Sequence, residues 1–508
     1  MKNTVKRTIS AVGLILYIFL LSGCDKGFDE VNTNPNVPTA EAIPVDNLFL
    51  GILTDVADET NDETMLIISD LFGFAFPSGV AAYEVGTADK WDDLYVGIKN
   101  INELLKITAE DGREPHAINH SVARILRVIY YQRLVDLFGA IPYTEGGQGL
   151  LYPQPKYDSA ETVYKAMVEE LSIAYNTIKD NTGGAFSPGV DLVYGSDARQ
   201  WAKFANSLKF RLGMRMRFVD EALAKKIIAE CLGADLMSSN ADSWAFVYTG
   251  TEGSNSNDLF STNRPNRFVS ELLMSQMREC VDPRIAAYGD PAGVKGDFYQ
   301  GQVNGLNMNF DDGAQSTYSV QIWSNRSFPA YLMTYAELCF LKAEAALIND
   351  GDANVEYQKG IRASMEQWGV SSASTEAYMA TDEAKLVKVE GESIQQQEER
   401  HLKKIAYQKW IALYTNGHEA YAEMRRTGYP HIEQRVEEKD IQRIDPQGNL
   451  VTVTVGYRLG ITEGVFPRRV EYPNSERNLN PDNLNEVIEK YGDGLLDKIW
   501  WDVGRTPQ

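Results

Sequence analysis

The stretch from Ala117 to Thr144 constrains the fold most strongly, because its apolar residues recur on two faces of one long helix. One stripe holds Ile118, Val122, Ile125 and Ile129, and the other holds Leu126, Tyr130, Leu134 and Leu137. A surface helix shows a single apolar stripe, so two stripes predict a helix that is buried between neighbours. Gly139 and Pro142 are expected to end it, because glycine accepts a positive φ and proline cannot donate into a continuing helix. The stretch therefore predicts an inner member of a helical stack.

The N-terminus predicts a bacterial lipoprotein signal over residues 1–23. Three basic residues within the first seven positions precede an apolar run from Ile9 to Leu21, and Ser22, Gly23 and Cys24 follow. A basic start, a short apolar run and small residues at a cleavage point are typical of a secretory signal. The cysteine directly after them indicates that Cys24 is lipidated and becomes the first residue. An ordinary cleaved signal beside an unrelated cysteine is the alternative.

Charge excludes some partners. The chain has a formal net charge of −22, and removal of the signal, which carries three basic residues and no acidic ones, would bring it to −25. Binding of nucleic acid or of an anionic lipid surface needs a basic surface, and no stripe of lysine and arginine stands out. Neither is expected as a partner.

The remaining cysteines, Cys231, Cys280 and Cys339, are odd in number and show no paired spacing. They are expected to be buried small hydrophobic residues, although one disulfide pair remains open.

Residues 24–45 are polar and turn-forming and predict a lipidated tether. Length alone suggests about three domains for a chain of 508 residues. A mainly helical scaffold is expected over about 46–220 and 330–430, with a loop-rich region over about 235–329. Helical periodicity is found in Asp46–Val56, Thr64–Phe72, Trp91–Leu105, Tyr157–Ile178, Asp197–Met216, Val269–Met277, Ala330–Ile348, Val355–Trp368 and His401–Met424, the last broken at Asn416-Gly417. Alternating valines predict a hairpin within Asp440–Arg458, and the tail that ends in Trp500-Trp501-Asp502 is expected to pack across the helices.

Enzyme signatures are not found. The chain lacks a His-Glu-x-x-His motif, a Gly-x-Ser-x-Gly motif and a phosphate-binding glycine-rich loop. His116 and His120 have the spacing of two metal ligands on one helix face, but surface histidines at a helix start are the favoured interpretation. Asp311-Asp312-Gly313 and Asp350-Gly351-Asp352 lack the alternate ligands of a calcium loop and are interpreted as turns. We therefore expect no catalytic residues, no metal and no cofactor.

Aromatic residues in the irregular segments indicate a carbohydrate-binding surface. Trp91 opens a helix beside a segment rich in glycine and alanine, and Tyr299 and Trp323 lie in the loop-rich region near Asn325 and Arg326. Sugar C–H faces stack on aromatic rings, while sugar hydroxyls need amide, carboxylate or guanidinium partners. For each aromatic residue the alternative is a structural role, covering the core beneath a loop.

The chain resembles the SusD/RagB family of nutrient-binding outer-membrane lipoproteins. The resemblance rests on motifs spread over nearly the whole mature chain: Leu21–Cys24, Asn32–Asn36, Trp91-x-x-Leu-Tyr95 with Asn100 and Asn102, Arg133–Tyr143, Tyr335–Leu338, Lys342–Ala345, Gln408–Tyr414, Gly417, Arg425–Pro430, Pro467–Arg469 and Tyr472-Pro473. It implies one mainly α SusD-like domain over residues 46–508, in place of the three domains that length suggests, with four tetratricopeptide-like helix pairs, a long irregular region and minor β-hairpins.

The resemblance further implies a lipid-anchored protein, exposed on the cell surface, whose partner is a SusC-like TonB-dependent transporter in the outer membrane. The protein would bind an oligosaccharide or polysaccharide without cleaving it and would deliver it to the transporter. Trp91, Tyr299 and Trp323 fall where family members place stacking aromatics, with Asn325 and Arg326 as polar neighbours.

Three alternatives remain open. An extended peptide could bind where the carbohydrate is expected, through backbone hydrogen bonds, as in RagB-like proteins. The chain could instead be a surface glycosidase that uses two of its many carboxylates, although sequence spacing does not reveal such a pair. A structural adaptor would bind the transporter alone.

Overall fold

The computed structural model describes residues 43–84, 88–251, 255–257, 259–260, 267–293, 298–310, 313–349 and 351–505. The signal, Cys24, most of the tether, Asp311, Asp312 and Asp350 lie outside these ranges. Residues 49–508 form one compact unit, and the described residues 43–48 belong to a separate N-terminal unit. The domain boundaries proposed from the sequence stay predictions.

The fold is mainly helical, as predicted. The α-helices are α1 Val45–Thr60, α2 Glu63–Ile68, α3 Ala88–Thr108, α4 Ala117–Phe138, α5 Ala160–Lys179, α6 Ala198–Arg215, α7 Glu221–Leu232, α8 Glu271–Glu279, α9 Ile285–Tyr288, α10 Val320–Trp323, α11 Tyr335–Ala345, α12 Ala353–Gln367, α13 Ser372–Met379, α14 Ile394–Ala412, α15 Gly417–Thr427, α16 Asn474–Leu479 and α17 Pro481–Tyr491. Short 3-10 turns lie at Val80–Ala82, Asn240–Asp242 and Gly460–Thr462.

Helix α4 is the inner helix that its two apolar stripes predicted. It packs against α3 on one side and α5 on the other, and both stripes are buried. His116 caps its start by accepting a hydrogen bond from the Asn119 N–H, which is a structural role for this histidine. Gly139 ends it with a φ of +82°, a conformation that residues with a side chain rarely adopt.

Helices that are neighbours in the chain pack in pairs, with α3 on α4, α5 on α6, α11 on α12 and α14 on α15. Small residues permit the close approach: a Cβ on Gly97 would lie 2.1 Å from the Tyr130 ring, and one on Gly360 would lie 2.7 Å from the Phe340 ring. These pairs confirm the tetratricopeptide-like architecture.

Within the part of the chain that the structure describes, six short strands form three two-stranded antiparallel sheets: β1 Phe72–Phe74 with β3 Arg267–Val269, β2 Trp244–Phe246 with β4 Ala330–Met333, and β5 Glu438–Ile444 with β6 Leu450–Gly456. The β5–β6 pair is the hairpin that the alternating valines predicted. The expected helix over Ala330–Ile348 is wrong at its start, because residues 330–333 pair with β2 before Thr334 caps α11. Tertiary pairing outweighs local helix propensity in this segment.

The helices predicted from the sequence need further correction. The sequence interpretation missed α7, α9, α10, α13, α16 and α17, and it placed the helix of the loop-rich region two residues too early. The break at Asn416-Gly417 is confirmed, since Asn416 caps α15 by accepting from the Glu419 N–H. Gly417 is required there because a Cβ would meet the backbone of Met65 at 2.3 Å.

A network of buried ion pairs joins the helices at the centre of the fold. Arg215 on α6 donates to Glu419 and Glu423 on α15, both over 2.6 Å. Arg426 then donates to Glu423 over 2.7 Å and to Glu344 on α11 over 2.6 Å. Every carboxylate of the network therefore faces at least one guanidinium, as buried charges require.

The three cysteines Cys231, Cys280 and Cys339 are free thiols, the first and third buried and Cys280 half-buried. Burial raises the pKa of Cys231 and of Cys339 to about 12. These thiols behave as small core residues, and the disulfide alternative is not realised.

Across the described residues, no helix combines the length and the apolar character needed to cross a membrane.

Candidate ligand-binding surface

A layer of extended segments ties the loop-rich region to the end of α2. Strand β1 pairs with β3, and the Val269 N–H donates to the Ser316 carbonyl over 3.0 Å. On its other side, the Val269 carbonyl accepts from the Gln302 N–H over 2.8 Å. The Ser316 N–H also donates to the Gln300 carbonyl over 2.6 Å. We call this hydrogen-bonded layer the base. The segments that carry Tyr299 and Trp323 continue from the base and not from a loose loop.

Asn304 joins this base to the segment after α2. Its amide nitrogen donates to the Asp70 carboxylate over 2.7 Å and to the Phe72 carbonyl over 2.9 Å, and its amide oxygen accepts from the Phe74 N–H over 3.1 Å. Asn304 is 5% exposed. A buried amide whose donor and acceptor atoms are hydrogen-bonded holds the backbone around it in place. Asn304 therefore fixes the position of the aromatic segment 72–76.

Trp323 lies at the end of the short helix α10. Ser319 caps this helix by accepting from the Gln321 N–H over 3.3 Å, and Ile322 is buried in the core beneath. The Trp323 ring is half-buried and packs on the same core cluster. Its indole N–H is covered and makes no hydrogen bond within the described residues. The tryptophan is thus anchored on one side and partly open on the other.

Tyr299 is also half-buried against that core cluster. Its carbonyl oxygen accepts a hydrogen bond from the Arg278 guanidinium over 2.7 Å. The same guanidinium pairs with Glu271 over 2.7 Å and lies 5.1 Å from the ring centre of Phe298. Arg278 on helix α8 therefore holds the backbone at Tyr299 in place.

Asn325 and Arg326 directly follow α10. Asn325 is exposed, and its side-chain oxygen accepts from the Ser327 N–H over 3.0 Å, which closes a tight turn. The guanidinium of Arg326 lies 4.2 Å from the ring centre of Phe260. The structure brings Trp323, Asn325 and Arg326 together on one turn. Their roles as ligand contacts, and that of Tyr299, stay predictions.

Trp91 does not fit the predicted stacking role. It is 3% exposed, and its ring is enclosed by other aromatic rings. The centroid distances are 4.8 Å to Tyr95, 5.0 Å to Phe138, 6.2 Å to Tyr157 and 5.8 Å to Tyr472. A sugar needs an open ring face, so we correct this assignment and attribute to Trp91 a packing role between α3, α4 and the C-terminal segment.

Phe76 was missed by the sequence interpretation. It is 42% exposed and lies just after β1, with its ring centre 5.6 Å from that of Phe74 in an edge contact. The Ala75 carbonyl between them accepts from the Phe310 N–H over 3.1 Å. The signal was present as the aromatic residues of the glycine- and alanine-rich segment 73–87, but sequence spacing does not reveal exposure. We group Phe76 with Tyr299 and Trp323 as the candidate aromatic contacts, because each of these rings is at least partly exposed.

A concavity lies beside the C-terminal segment. It is a groove of about 500 Å³ with Met424, Ile432 and Phe466 among its apolar residues. Arg468 pairs with Asp502 over 2.6 Å, and Arg505 with Glu399 over 2.5 Å. Two of the cations that line the groove are therefore already paired with carboxylates, and Lys498, His431 and Gln434 add polar surface to it.

Comparisons with known proteins agree with this architecture. The family described as "Starch-binding associating with outer membrane" matches residues 35–446. A comparison with curated protein sequences finds no match.

Three solved structures share 25% sequence identity with the chain. A chitin-binding SusD homolog from Flavobacterium johnsoniae superposes with a TM-score of 0.75 and covers 91% of this chain and 100% of its own. A second, named a chitin-binding protein, gives 0.74 with 90% and 99% coverage. A SusD-like protein from Bacteroides thetaiotaomicron gives 0.73 with 90% and 99%. The family match and these folds confirm the resemblance stated from the sequence motifs: the chain belongs to the SusD-like family of starch-binding, outer-membrane-associated proteins.

Proposed function

We propose that the protein is a non-catalytic, lipid-anchored protein of the cell surface that captures an oligosaccharide or polysaccharide and passes it to a SusC-like TonB-dependent transporter. The observation that supports carbohydrate capture is the exposure of three aromatic rings, Phe76, Tyr299 and Trp323, near segments that backbone hydrogen bonds hold together. Aromatic faces suit the C–H faces of sugars, and a fixed base lowers the entropy lost on binding.

Asn325 and Arg326 supply the polar part of the proposed site. An amide both donates and accepts, and a guanidinium donates in a planar fork, so the two can bind hydroxyl groups around a stacked ring. Because two of the solved relatives are named for chitin binding, chito-oligosaccharides are the first ligands to test, before starch and other polysaccharides.

The first experiment measures binding of the purified protein to chito-oligosaccharides, starch fragments, other polysaccharides and a peptide mixture by calorimetry and affinity electrophoresis. Trp323→Ala and Phe76→Ala are expected to weaken binding of the responsive glycan at least about tenfold, equivalent to about 1.4 kcal/mol each. Tyr152→Ala is the matched control, since Tyr152 is an aromatic residue with 40% exposure on the loop after α4. Binding of peptides with no response to any glycan would favour peptide capture, and cleavage of a bound glycan would favour a glycosidase.

The anchoring and the transporter need separate tests. Cys24→Ala is expected to abolish palmitate incorporation and to release the protein from the membrane fraction. An affinity tag at Gln508 should recover a TonB-dependent transporter from detergent-solubilised outer membranes. Failure of either result would remove that part of the proposal and leave glycan capture unaffected.

A further inference from the structure

Three potential metal ligands converge where the first helices of the compact unit meet α15. Glu59 lies in the last turn of α1, Asp62 is the cap of α2, and His418 lies in the first turn of α15. One ligand atom from each lies within 4.8 Å of the others. His418 Nε2 is 3.8 Å from Glu59 Oε2 and 3.7 Å from Asp62 Oδ2. No enzyme motif in the sequence marks this group, because its members are far apart in the chain.

The environment of His418 is a second, independent observation that points to a bound cation. Its side chain is 9% exposed, and Nε2 makes no hydrogen bond within the described residues although it faces both carboxylates. A buried ring nitrogen without a partner costs free energy, so it calls for an explanation. A cation between Nε2 and the two oxygens would satisfy it.

The two carboxylates already bind one cation. The Lys90 ammonium lies 3.2 Å from Glu59 Oε2 and 3.0 Å from Asp62 Oδ2. Its side chain is 16% exposed and flexible, so it has a route to solvent. Arg133 is the other cation near this group; it donates to Thr60 Oγ1 over 2.6 Å and remains there.

We propose that Glu59, Asp62 and His418 form a site for a divalent transition metal ion, with Zn²⁺ as the first candidate, which binds by displacing the Lys90 ammonium. One imidazole nitrogen and two carboxylate oxygens are ligands that suit zinc, and water would complete a tetrahedron. Bonds of about 2.1 Å place tetrahedral ligands about 3.4 Å apart. The 3.7 and 3.8 Å separations from His418 Nε2 therefore need shifts of a few tenths of an ångström. The two carboxylate oxygens lie within 4.8 Å of each other and would have to approach by up to about 1.4 Å.

A bound ion would connect the first helices to α15 and stabilise the folded state. Calorimetry of the untagged, chelator-treated protein with ZnCl₂ is expected to show one site, and saturating ZnCl₂ should raise the unfolding temperature. His418→Gln should weaken binding at least tenfold and remove the temperature rise. Asp62→Asn should do the same while its amide oxygen keeps the helix cap that Asp62 Oδ1 now provides to the Thr64 N–H.

Two further variants distinguish this site from adventitious binding. His431→Gln removes an exposed imidazole outside the cluster and is expected to bind zinc as the original protein does. Lys90→Met removes the competing cation and should tighten binding severalfold. Equal zinc affinity in the original protein, His418→Gln and Asp62→Asn would overturn the proposal, as would a Lys90→Met variant that binds zinc no more tightly. These readouts are independent of glycan binding.

Discussion

The indole nitrogen of Trp501 donates a hydrogen bond to Asp136 Oδ1 over 2.9 Å, although the two residues are 365 positions apart in the chain. Trp501 is fully buried, and the guanidinium of Arg215 lies 5.2 Å from its ring centre. The C-terminal segment is therefore fastened onto the central helix α4. Burial raises the pKa of Asp136 because it disfavours the charged carboxylate. Hydrogen bonds donated to the carboxylate oppose this effect and stabilise the charged form.

Trp501→Phe tests this attachment. The change keeps most of the ring volume but removes the N–H donor, and loss of one partner of a buried acceptor costs about 1–3 kcal/mol of unfolding free energy. Urea denaturation followed by circular dichroism would measure it. Trp500→Phe is the control, because Trp500 is half-buried and the Asp136 hydrogen bond comes from its neighbour. Equal losses in the two variants would contradict the assigned role.

Arg215→Met is expected to destabilise the fold strongly. Arg215 is fully buried and donates to both Glu419 and Glu423, so its removal leaves buried carboxylates with fewer partners. Breaking a buried ion pair from one side costs about 3–5 kcal/mol of unfolding free energy. The exposed pair of Arg362 and Glu376 provides the comparison, and Arg362→Met should leave the denaturation midpoint unchanged. A similar midpoint for both variants would show that the central network is dispensable.

Stability should fall as the solution is acidified below about pH 4.5, in part through Glu423. Burial alone would raise the pKa of this carboxyl, but Arg426, Lys409 and Arg215 outweigh it and hold the pKa well below the ordinary value of 4.5. Its contribution is present above the unfolded pKa and is lost as pH falls towards the folded pKa. Glu423→Gln should therefore make the acid decline of unfolding free energy shallower.

Glu337→Gln should have the opposite effect. Burial raises the pKa of Glu337 above 4.5 in spite of Arg211, so the folded state takes up this proton more readily than the unfolded one. Glu337 therefore stabilises the folded state more as the pH falls. Replacing it with Gln removes this stabilisation, so the unfolding free energy should decline more steeply on acidification. Urea midpoints at several pH values between 7 and 3 would measure both slopes, and a change of the same sign in both variants would contradict the assignments.

Trp91→Ala should lower stability and leave ligand affinity nearly unchanged. Removing a large buried aromatic side chain costs about 3–5 kcal/mol of unfolding free energy, because a cavity remains. Trp323→Ala should show the reverse pattern, with a small loss of stability and a large loss of glycan affinity. Thermal unfolding and calorimetry on the same samples separate the two roles. A tenfold affinity loss in folded Trp91→Ala would restore Trp91 to the ligand site.

Much of the scaffold could be predicted from the sequence. The two apolar stripes of α4, its end at Gly139, the break at Asn416 and the alternating valines of β5–β6 each depend on neighbours in the chain, and each was found. The ends of helices were less certain. Residues 330–333 form a strand because β2 is available to pair with them, and no local pattern reports that partner.

The candidate site was predicted less completely for the same reason. Trp323, Asn325 and Arg326 are adjacent in the chain, so their common placement on one turn follows from the sequence. Exposure depends on distant residues: Tyr157 and Tyr472 help to cover Trp91, whereas Phe76 remains open. Aromatic composition alone could not distinguish these two cases.

The sequence by itself determined the mainly helical class and the family, because periodicity, caps and motifs are carried by short stretches of chain. The resemblance to that family then implied the paired helices. The tertiary structure alone decided which polar groups meet. Glu59, Asp62 and His418 converge, and Arg215 finds Glu419 and Glu423, only after separate helices pack. Burial then sets the charge state of these groups, since desolvation and the distance between charges are properties of the folded chain and not of the local sequence.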